Sequence, residues 1–73
     1  MEWEPVDSDA MRAVRYDAAR RTLDIEFPTG KGYRYYDVPE SEYLDLMRAG
    51  SLGQHFNAFI RDRYECGRIR RGG

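Results

Sequence analysis

Residues 32–39 read Gly32-Tyr33-Arg34-Tyr35-Tyr36-Asp37-Val38-Pro39. The aromatic positions Tyr33 and Tyr35 fall on the same face of a β-strand, because successive side chains of a strand point to opposite faces. Proline suits the first turn of a helix, since its missing N–H would have no partner there. The segment therefore predicts a switch from strand to helix at Pro39.

Two more strands are expected before this segment. Residues 13–16 have the composition of a short strand and lead into a plausible hairpin turn. Residues 22–27 then alternate strictly, which predicts a half-buried strand. Its apolar face holds Leu23, Ile25 and Phe27, and its polar face holds Asp24 and Glu26. Residues 1–11 are interpreted as an irregular arm that docks on the core through Trp3, Val6 and Met11.

Two helices are expected after Pro39. Glu40 and Glu42 favour the positive end of a helix dipole, and Gly50 ends the helix. Ser51 and Gln54 fit a capping box that opens the second helix. The apolar face of the first helix is assigned to Tyr43, Leu44 and Met47, and that of the second to Phe56, Phe59, Ile60 and Tyr64.

These elements predict an α+β fold, a three-stranded antiparallel β-meander followed by two α-helices packed on one face. The chain has 73 residues, of which 41% are hydrophobic, which is enough for one compact domain. We assign residues 1–65 to this single domain. Residues 66–73 have no apolar pattern and are expected to form a basic flexible tail.

Composition narrows the class of protein. The longest apolar run, residues 58–60, is far shorter than the roughly 20 residues that cross a membrane. The acidic start, with Glu2 and Glu4, is unlike a signal peptide, so we expect a cytoplasmic protein without a membrane partner. One cysteine, Cys66, and one histidine, His55, exclude an internal disulfide and a multi-ligand Cys/His zinc site. We expect neither a metal nor a cofactor.

Charge is divided unevenly along the chain. Residues 1–45 carry eleven acidic and six basic residues, a net charge of −5, and residues 46–73 carry six arginines and two acids, a net charge of +4. Such a split either marks a nucleic-acid surface or balances charge within the molecule. The densest basic run contains Arg61, Arg63, Arg68, Arg70 and Arg71.

In an ordered set of short motifs the chain resembles the KTSC family, a small domain found at the C-terminus of some lysyl-tRNA synthetases and as single-domain bacterial proteins. The carriers are Pro5-Val6 with Ser8, Tyr16-Asp17, Tyr33-x-Tyr35, Val38-Pro39, Tyr43 with Leu44, and Gly53-x-x-Phe56-Asn57-x-x-Ile60-Arg61. The resemblance implies a small domain without established catalytic residues, for which the synthetase context suggests RNA binding.

Most of the motif residues are expected to be structural, namely Tyr33, Tyr35, Pro39, Gly53, Phe56, Asn57 and Ile60. Tyr33 and Tyr35 are alternatively a stacking platform for bases, but same-face tyrosines of a meander covered on one side are more often core residues. Asn57 is interpreted as a buried amide that bonds a neighbouring loop. His55 is interpreted as a lone exposed histidine and Cys66 as an incidental thiol.

RNA binding is the function that the residues favour, through the basic run Arg61, Arg63, Arg68, Arg70 and Arg71. Arg34 and Tyr36 on the open sheet face are secondary candidates, because Asp24 and Glu26 are expected to pair with Arg15 and Arg34 and so to neutralise that face. A protein-interaction module with an acidic partner is the alternative. The Arg-Arg-Gly-Gly ending also resembles a ubiquitin-like tail or part of an RGG segment. No catalytic motif is present, so we expect no enzyme.

Overall fold

The computed structural model describes residues 2–69. These residues form a five-stranded antiparallel sheet whose strands follow one another in chain order. The strands are β1 (Glu4–Pro5), β2 (Ala13–Asp17), β3 (Thr22–Glu26), β4 (Gly32–Tyr35) and β5 (Cys66–Ile69). Between β4 and β5 the chain forms α1 (Glu40–Arg48) and α2 (Leu52–His55), and α2 continues as one turn of π-helix over Phe56–Ile60.

The predicted class is confirmed, and the predicted meander is the centre of the sheet. The two edge strands were not predicted. β1 lies within the expected arm, and β5 pairs with β4 where a tail was expected, so that expectation is wrong for residues 66–69. An edge strand needs few apolar residues, and the short sequence Cys-Gly-Arg-Ile carries no clear alternation. Residues 70–73 lie outside the described part of the chain.

The central strand β3 is buried on both faces. Asp24 is only 3% exposed, although it lies on the face away from the helices. The side chains of Arg15 on β2 and Arg34 on β4 close over it, with N···O distances of 2.7 Å and 2.8 Å. The predicted cross-strand pairing at Asp24 is therefore confirmed, whereas the half-buried character expected of β3 is wrong.

The core lies between the sheet and the helices. Strand residues Val14, Leu23 and Ile25 are fully buried there, and the helices contribute Leu46 and Ile60. Both of these helical residues have no exposed surface, so the two helices cover the same face of the sheet, as predicted. Burying apolar area of this kind stabilises a small domain by roughly 25 cal/mol per Å².

The expected arm docks as predicted through two of its three apolar residues. Met11 is fully buried, and Val6 packs against the core. Trp3 lies instead beside Arg15, whose guanidinium is 4.5 Å from the centre of the indole ring. Trp3 therefore covers one end of the charged group on the open face of the sheet.

The predicted apolar face of each helix includes a residue that is exposed in the structure. In α1 the buried residue is Leu46, whereas Leu44 is 39% exposed. In the second helical segment Phe56 and Ile60 are buried, and Phe59 is 46% exposed. One half of the predicted capping box of α2 is present, since the Ser51 hydroxyl accepts a hydrogen bond from the Gln54 N–H at 3.3 Å.

The turn from β4 into α1 is held from two sides. The Tyr16 hydroxyl donates a hydrogen bond to the Val38 carbonyl at 2.6 Å, and the Val38 N–H donates to the Arg21 carbonyl at 2.9 Å. Asp37 and Arg21 both adopt a φ of 57°, in the left-handed region that costs free energy for residues with a Cβ. These contacts fix where α1 begins and, with it, how the helices lie on the sheet.

Candidate functional site

Two described arginines of the basic run, Arg61 and Arg68, lie where β4, β5 and the π-turn meet. Arg61, Arg63 and Arg68 are all exposed. Arg68 lies opposite Tyr33 in the register of β4 and β5, so the two side chains share the helix-covered face of the sheet. Within residues 2–69 none of these arginines forms an ion pair with a carboxylate. Arg70 and Arg71 lie outside the described residues.

A cavity of about 400 Å³ lies beside these arginines. We name it the aromatic cavity, and its residues come from the end of β3, from β4, from the π-turn and from β5. They are Phe27, Tyr33, Tyr35, Phe56, Asn57, Arg61 and Cys66. Rings thus form most of its wall, and an amide, a thiol and a guanidinium supply its polar groups.

The π-turn places two of those polar groups at the cavity. The Arg61 N–H donates to the Phe56 carbonyl at 2.8 Å, which spans five residues where an α-helix spans four. Phe56 and Ile60 of this turn are buried, while Asn57 and Arg61 line the cavity. Turns of π-helix occur frequently at functional sites, so this local geometry favours the cavity as a binding site.

Asn57 is exposed, which corrects the expectation that it is a buried amide with a structural partner. Over residues 2–69 its side chain makes no hydrogen bond. The apolar pattern of the second helix favoured burial, but Phe56 and Ile60 are the residues that face the core, and Asn57 beside Phe56 faces solvent. Its amide is therefore available to a ligand.

Tyr35 closes the inner end of the cavity. Burial, followed by the neighbouring Cys66 thiol, raises the pKa of Tyr35 to about 12. The hydroxyl therefore stays protonated across the physiological range. Tyr35 is 5% exposed, whereas Tyr33 is only partly buried, so the two tyrosines of the motif lie on one face but differ in access to solvent.

Arg34 and Tyr36, the candidates on the open face, lie away from the aromatic cavity. Arg34 donates two hydrogen bonds to Asp24, and these bonds raise the pKa of Arg34. Tyr36 is 43% exposed, and its ring lies over Gly67 of β5. The structure therefore separates the sequence-derived candidates into two surfaces, with Arg34 already engaged by a carboxylate.

His55 is half-buried and paired, which corrects its interpretation as a lone exposed side chain. Its Nε2 lies 3.0 Å from Glu42 Oε1, and the Tyr64 hydroxyl donates to Glu42 Oε2 at 3.3 Å. Glu42 thus joins α1, α2 and the segment before β5. The hydrogen-bonded group of Glu42, His55 and Tyr64 is therefore best explained as a structural contact that holds these elements together.

The described part of the chain has neither a cluster of potential metal ligands nor a membrane-spanning helix. Between residues 2 and 69, no three His, Cys, Asp or Glu side chains gather in a way that would hold a metal ion. No helix in that range has the length and apolar character needed to cross a membrane.

A model of the KTSC domain family matches residues 7–64. The chain belongs to this family. The crystal structure of a KTSC domain protein from Yersinia pestis superposes with a TM-score of 0.90 at 32% identity, covering 93% of this chain and 96% of that one. A protein from Tsukamurella paurometabola is 38% identical over 63 residues, which are 86% of this chain and 94% of that protein.

This KTSC domain is also similar to part of a much longer enzyme. A lysine–tRNA ligase from Nostoc punctiforme is 39% identical over 59 residues, which are 81% of this chain and only 10% of the ligase. The similarity therefore concerns one small segment of that enzyme.

The motif residues of this KTSC domain fall into two groups. Pro39 precedes α1 as its N-cap, and Gly53 allows close packing, since a Cβ there would lie 2.7 Å from Ala10 Cβ. Tyr33, Tyr35, Phe56, Asn57 and Arg61 instead line the aromatic cavity.

Sequence reasoning missed Phe27 and Cys66 as cavity residues. Phe27 was assigned to the apolar face of β3, which is the correct face, but it lies just past the strand and at the cavity wall. Cys66 was placed in a tail. The signal for Cys66 was absent, because pairing with β4 depends on the backbone and leaves no pattern in four residues.

Proposed function

We propose that this KTSC domain is a non-catalytic module that binds RNA through Arg61, Arg63 and Arg68. The observation that carries the proposal is the presence of exposed arginines, without ion pairs in residues 2–69, beside an aromatic cavity. Neutralising backbone phosphates with Lys and Arg is the main source of nucleic-acid affinity. Arg70 and Arg71 follow this surface in the sequence and are included in the proposal.

The local charge supports the proposal although the whole chain has a net charge of −1. Residues 61–69 contain three arginines against Asp62 and Glu65. Electrostatic binding depends on such clustering more than on total charge. Arg61 also follows a helical turn, where a cation complements the dipole, so charge alone is not specific for a ligand.

RNA is preferred over DNA because of the ligase similarity. The matching enzyme is named for tRNA, and the segment that resembles this chain is one tenth of its length. Arg34 and Tyr36 are given a minor role. Since Asp24 holds the Arg34 guanidinium from both oxygens, a phosphate there would compete with a carboxylate.

An acidic protein partner is the second candidate. Phe59 and Tyr36 are large apolar side chains with 46% and 43% exposure, and such residues act as anchors in protein interfaces. A protein interface would depend on a few central anchors, whereas RNA affinity would fall steeply with salt.

Fluorescence anisotropy of labelled single-stranded RNA, duplex RNA and tRNA tests the proposal at 50 mM and 200 mM salt. We expect micromolar or tighter binding that weakens strongly at the higher salt concentration. Replacing Arg61 and Arg68 by Ala should reduce the affinity. It should also reduce the slope of log K against log salt, by about 0.7–0.9 for each phosphate that the protein no longer neutralises.

Arg20→Ala is the matched control, because it removes one positive charge from an exposed side chain on the β2–β3 hairpin. The RNA proposal fails if no RNA binds at 50 mM salt, where electrostatic attraction is strongest. It also fails if Arg20→Ala weakens binding as much as either cavity-side arginine variant does.

A further inference from the structure

The wall of the aromatic cavity is built from rings that pack on one another. The rings of Phe27 and Tyr33 meet at 65° with centroids 5.8 Å apart, and those of Phe27 and Phe56 meet at 66° and 5.6 Å. Both are edge-to-face contacts, so Phe27, Tyr33 and Phe56 pack on one another and form a continuous aromatic wall beside the cavity. A cavity of about 400 Å³ lies within the range of small-ligand sites.

The polar groups of the cavity suit a ligand that both donates and accepts hydrogen bonds. The Asn57 amide can do both. Asn57 makes no side-chain hydrogen bond within the described residues, so a ligand displaces no protein partner from it. The edge of a nucleobase carries donors and acceptors side by side and complements such an amide.

Positive charge lies at the same place. Arg61 lines the cavity, and Arg68 lies opposite the wall residue Tyr33. A flat ring that enters the cavity with an anionic group attached would therefore satisfy the ring walls, the amide and the guanidinium together. A nucleotide has all three features, whereas a purely acidic peptide lacks the flat ring.

We propose that the aromatic cavity binds a single unstacked nucleobase of single-stranded RNA, with Asn57 contacting the base edge and Arg61 and Arg68 contacting the adjacent phosphates. This inference rests on the RNA binding proposed above and adds the class of group that enters the cavity. Duplex RNA is a poorer ligand under this proposal, because its bases are already stacked and paired.

The test compares two oligomers of eight units by anisotropy at 50 mM salt. One is a single-stranded RNA of mixed sequence, and the other has the same sugar–phosphate backbone without bases. We expect the intact RNA to bind about fivefold more tightly or better, the ratio that corresponds to a stacking gain of about 1 kcal/mol for one base.

Variants locate the base. Asn57→Ala changes an exposed residue and should lower the preference for intact RNA, and Tyr33→Leu should lower it further by removing a ring. Arg20→Ala should leave the preference unchanged. A circular dichroism melt of each variant checks its folding, and the comparison of the two oligomers with the unchanged protein needs no variant at all.

The two proposals fail in different ways. Equal affinity of the unchanged protein for both oligomers overturns base binding and leaves the electrostatic RNA proposal in place. Binding of neither oligomer overturns both. In a third outcome, the Asn57→Ala and Tyr33→Leu variants both prefer intact RNA as strongly as the unchanged protein does. The base then binds elsewhere, and the assignment of the cavity is overturned.

Discussion

At the scale of single residues, the hydroxyl of Tyr16 has a role that its ring does not. The hydroxyl donates to the buried Val38 carbonyl at 2.6 Å, while the ring stacks on Tyr43 with centroids 4.8 Å apart. Tyr16→Phe keeps the stack and removes the donor. We expect urea denaturation to show a free energy of unfolding that is lower by about 1–3 kcal/mol, which is the cost of leaving a buried carbonyl without its partner.

Tyr36→Phe is the control for this variant, since the Tyr36 side chain is largely exposed and its hydroxyl makes no hydrogen bond with another residue in the range 2–69. It should change the free energy of unfolding by less than about 0.5 kcal/mol. Equal stability of the Tyr16 variant and the unchanged protein would contradict the role assigned to the hydroxyl.

A substitution at Arg21 tests the cost of the left-handed backbone conformation in the β2–β3 hairpin. Its φ of 57° is unfavourable for a residue with a Cβ, whereas glycine adopts it readily. Arg21→Gly should raise the free energy of unfolding by up to about 1 kcal/mol after the entropy of glycine is counted. The Val38 N–H bond to the carbonyl of residue 21 is a backbone bond and remains.

Arg21→Ala separates the backbone effect from the loss of charge. Alanine removes the guanidinium but keeps a Cβ in the same conformation, so no gain in thermal stability is expected. If both variants were stabilised by the same amount, the loss of the positive charge, and not the backbone angle φ, would be the cause.

At the scale of elements, the contact between the N-terminal segment and α2 depends on the lack of a side chain at residue 53. A Cβ at Gly53 would lie 2.7 Å from Ala10 Cβ, closer than real contacts allow. Gly53→Ala should therefore cost about 1–3 kcal/mol through overpacking, although alanine is otherwise the better helix residue.

A double-mutant cycle checks this assignment by chemical denaturation. In an Ala10→Gly background the clash is gone, so Gly53→Ala should there be neutral or stabilising by up to about 1 kcal/mol. The assignment is wrong if Gly53→Ala has the same effect in both backgrounds.

The elements differ in how well the sequence predicts them. β3 and α2 were predictable because strict alternation in residues 22–27 and a Ser–Gln cap are local signals. β5 was not, since an edge strand of four residues is defined by hydrogen bonds to β4. The burial of Asp24 and the burial of Leu46 in α1 were not predictable either, because both depend on partners that are distant in the sequence.

The candidate site was predictable in part for the same reason. The arginines and the aromatic motif residues were found from clustering and spacing, but the convergence of Arg61 and the aromatic residues on one cavity required the β4–β5 pairing and the π-turn. Asn57 shows the difference most clearly. Its position in an apolar helical pattern favoured burial, whereas in the folded protein it is exposed at the cavity.

At the scale of the whole molecule, the tyrosines make the fold sensitive to high pH. Burial raises the pKa of Tyr35 to about 12 and also raises the pKa values of Tyr16, Tyr43 and Tyr64 above their ordinary value. A folded-state pKa above the unfolded value of about 10 means that the fold favours the protonated phenol. This stabilisation is complete below about pH 10 and is lost as the pH rises through about 12.

Urea denaturation at a series of pH values between about 9 and 12 measures this dependence. We expect the free energy of unfolding to fall over that range, and to fall less steeply in Tyr35→Phe, which has one phenol fewer. A Tyr35→Phe protein with the same slope as the unchanged protein would show that this phenol is not preferentially protonated in the fold.

The central claim is that RNA binds where β4, β5 and the π-turn meet. A ¹⁵N-labelled sample titrated with single-stranded RNA and followed by NMR tests this most directly, because each backbone amide and the Asn57 side-chain amide reports its own surroundings. The account predicts that the signals of Tyr33, Asn57, Arg61 and Arg68 shift together, while those of the β2–β3 hairpin stay in place. Shifts confined to the open face around Arg34 and Tyr36, or no shifts at low salt, would contradict it.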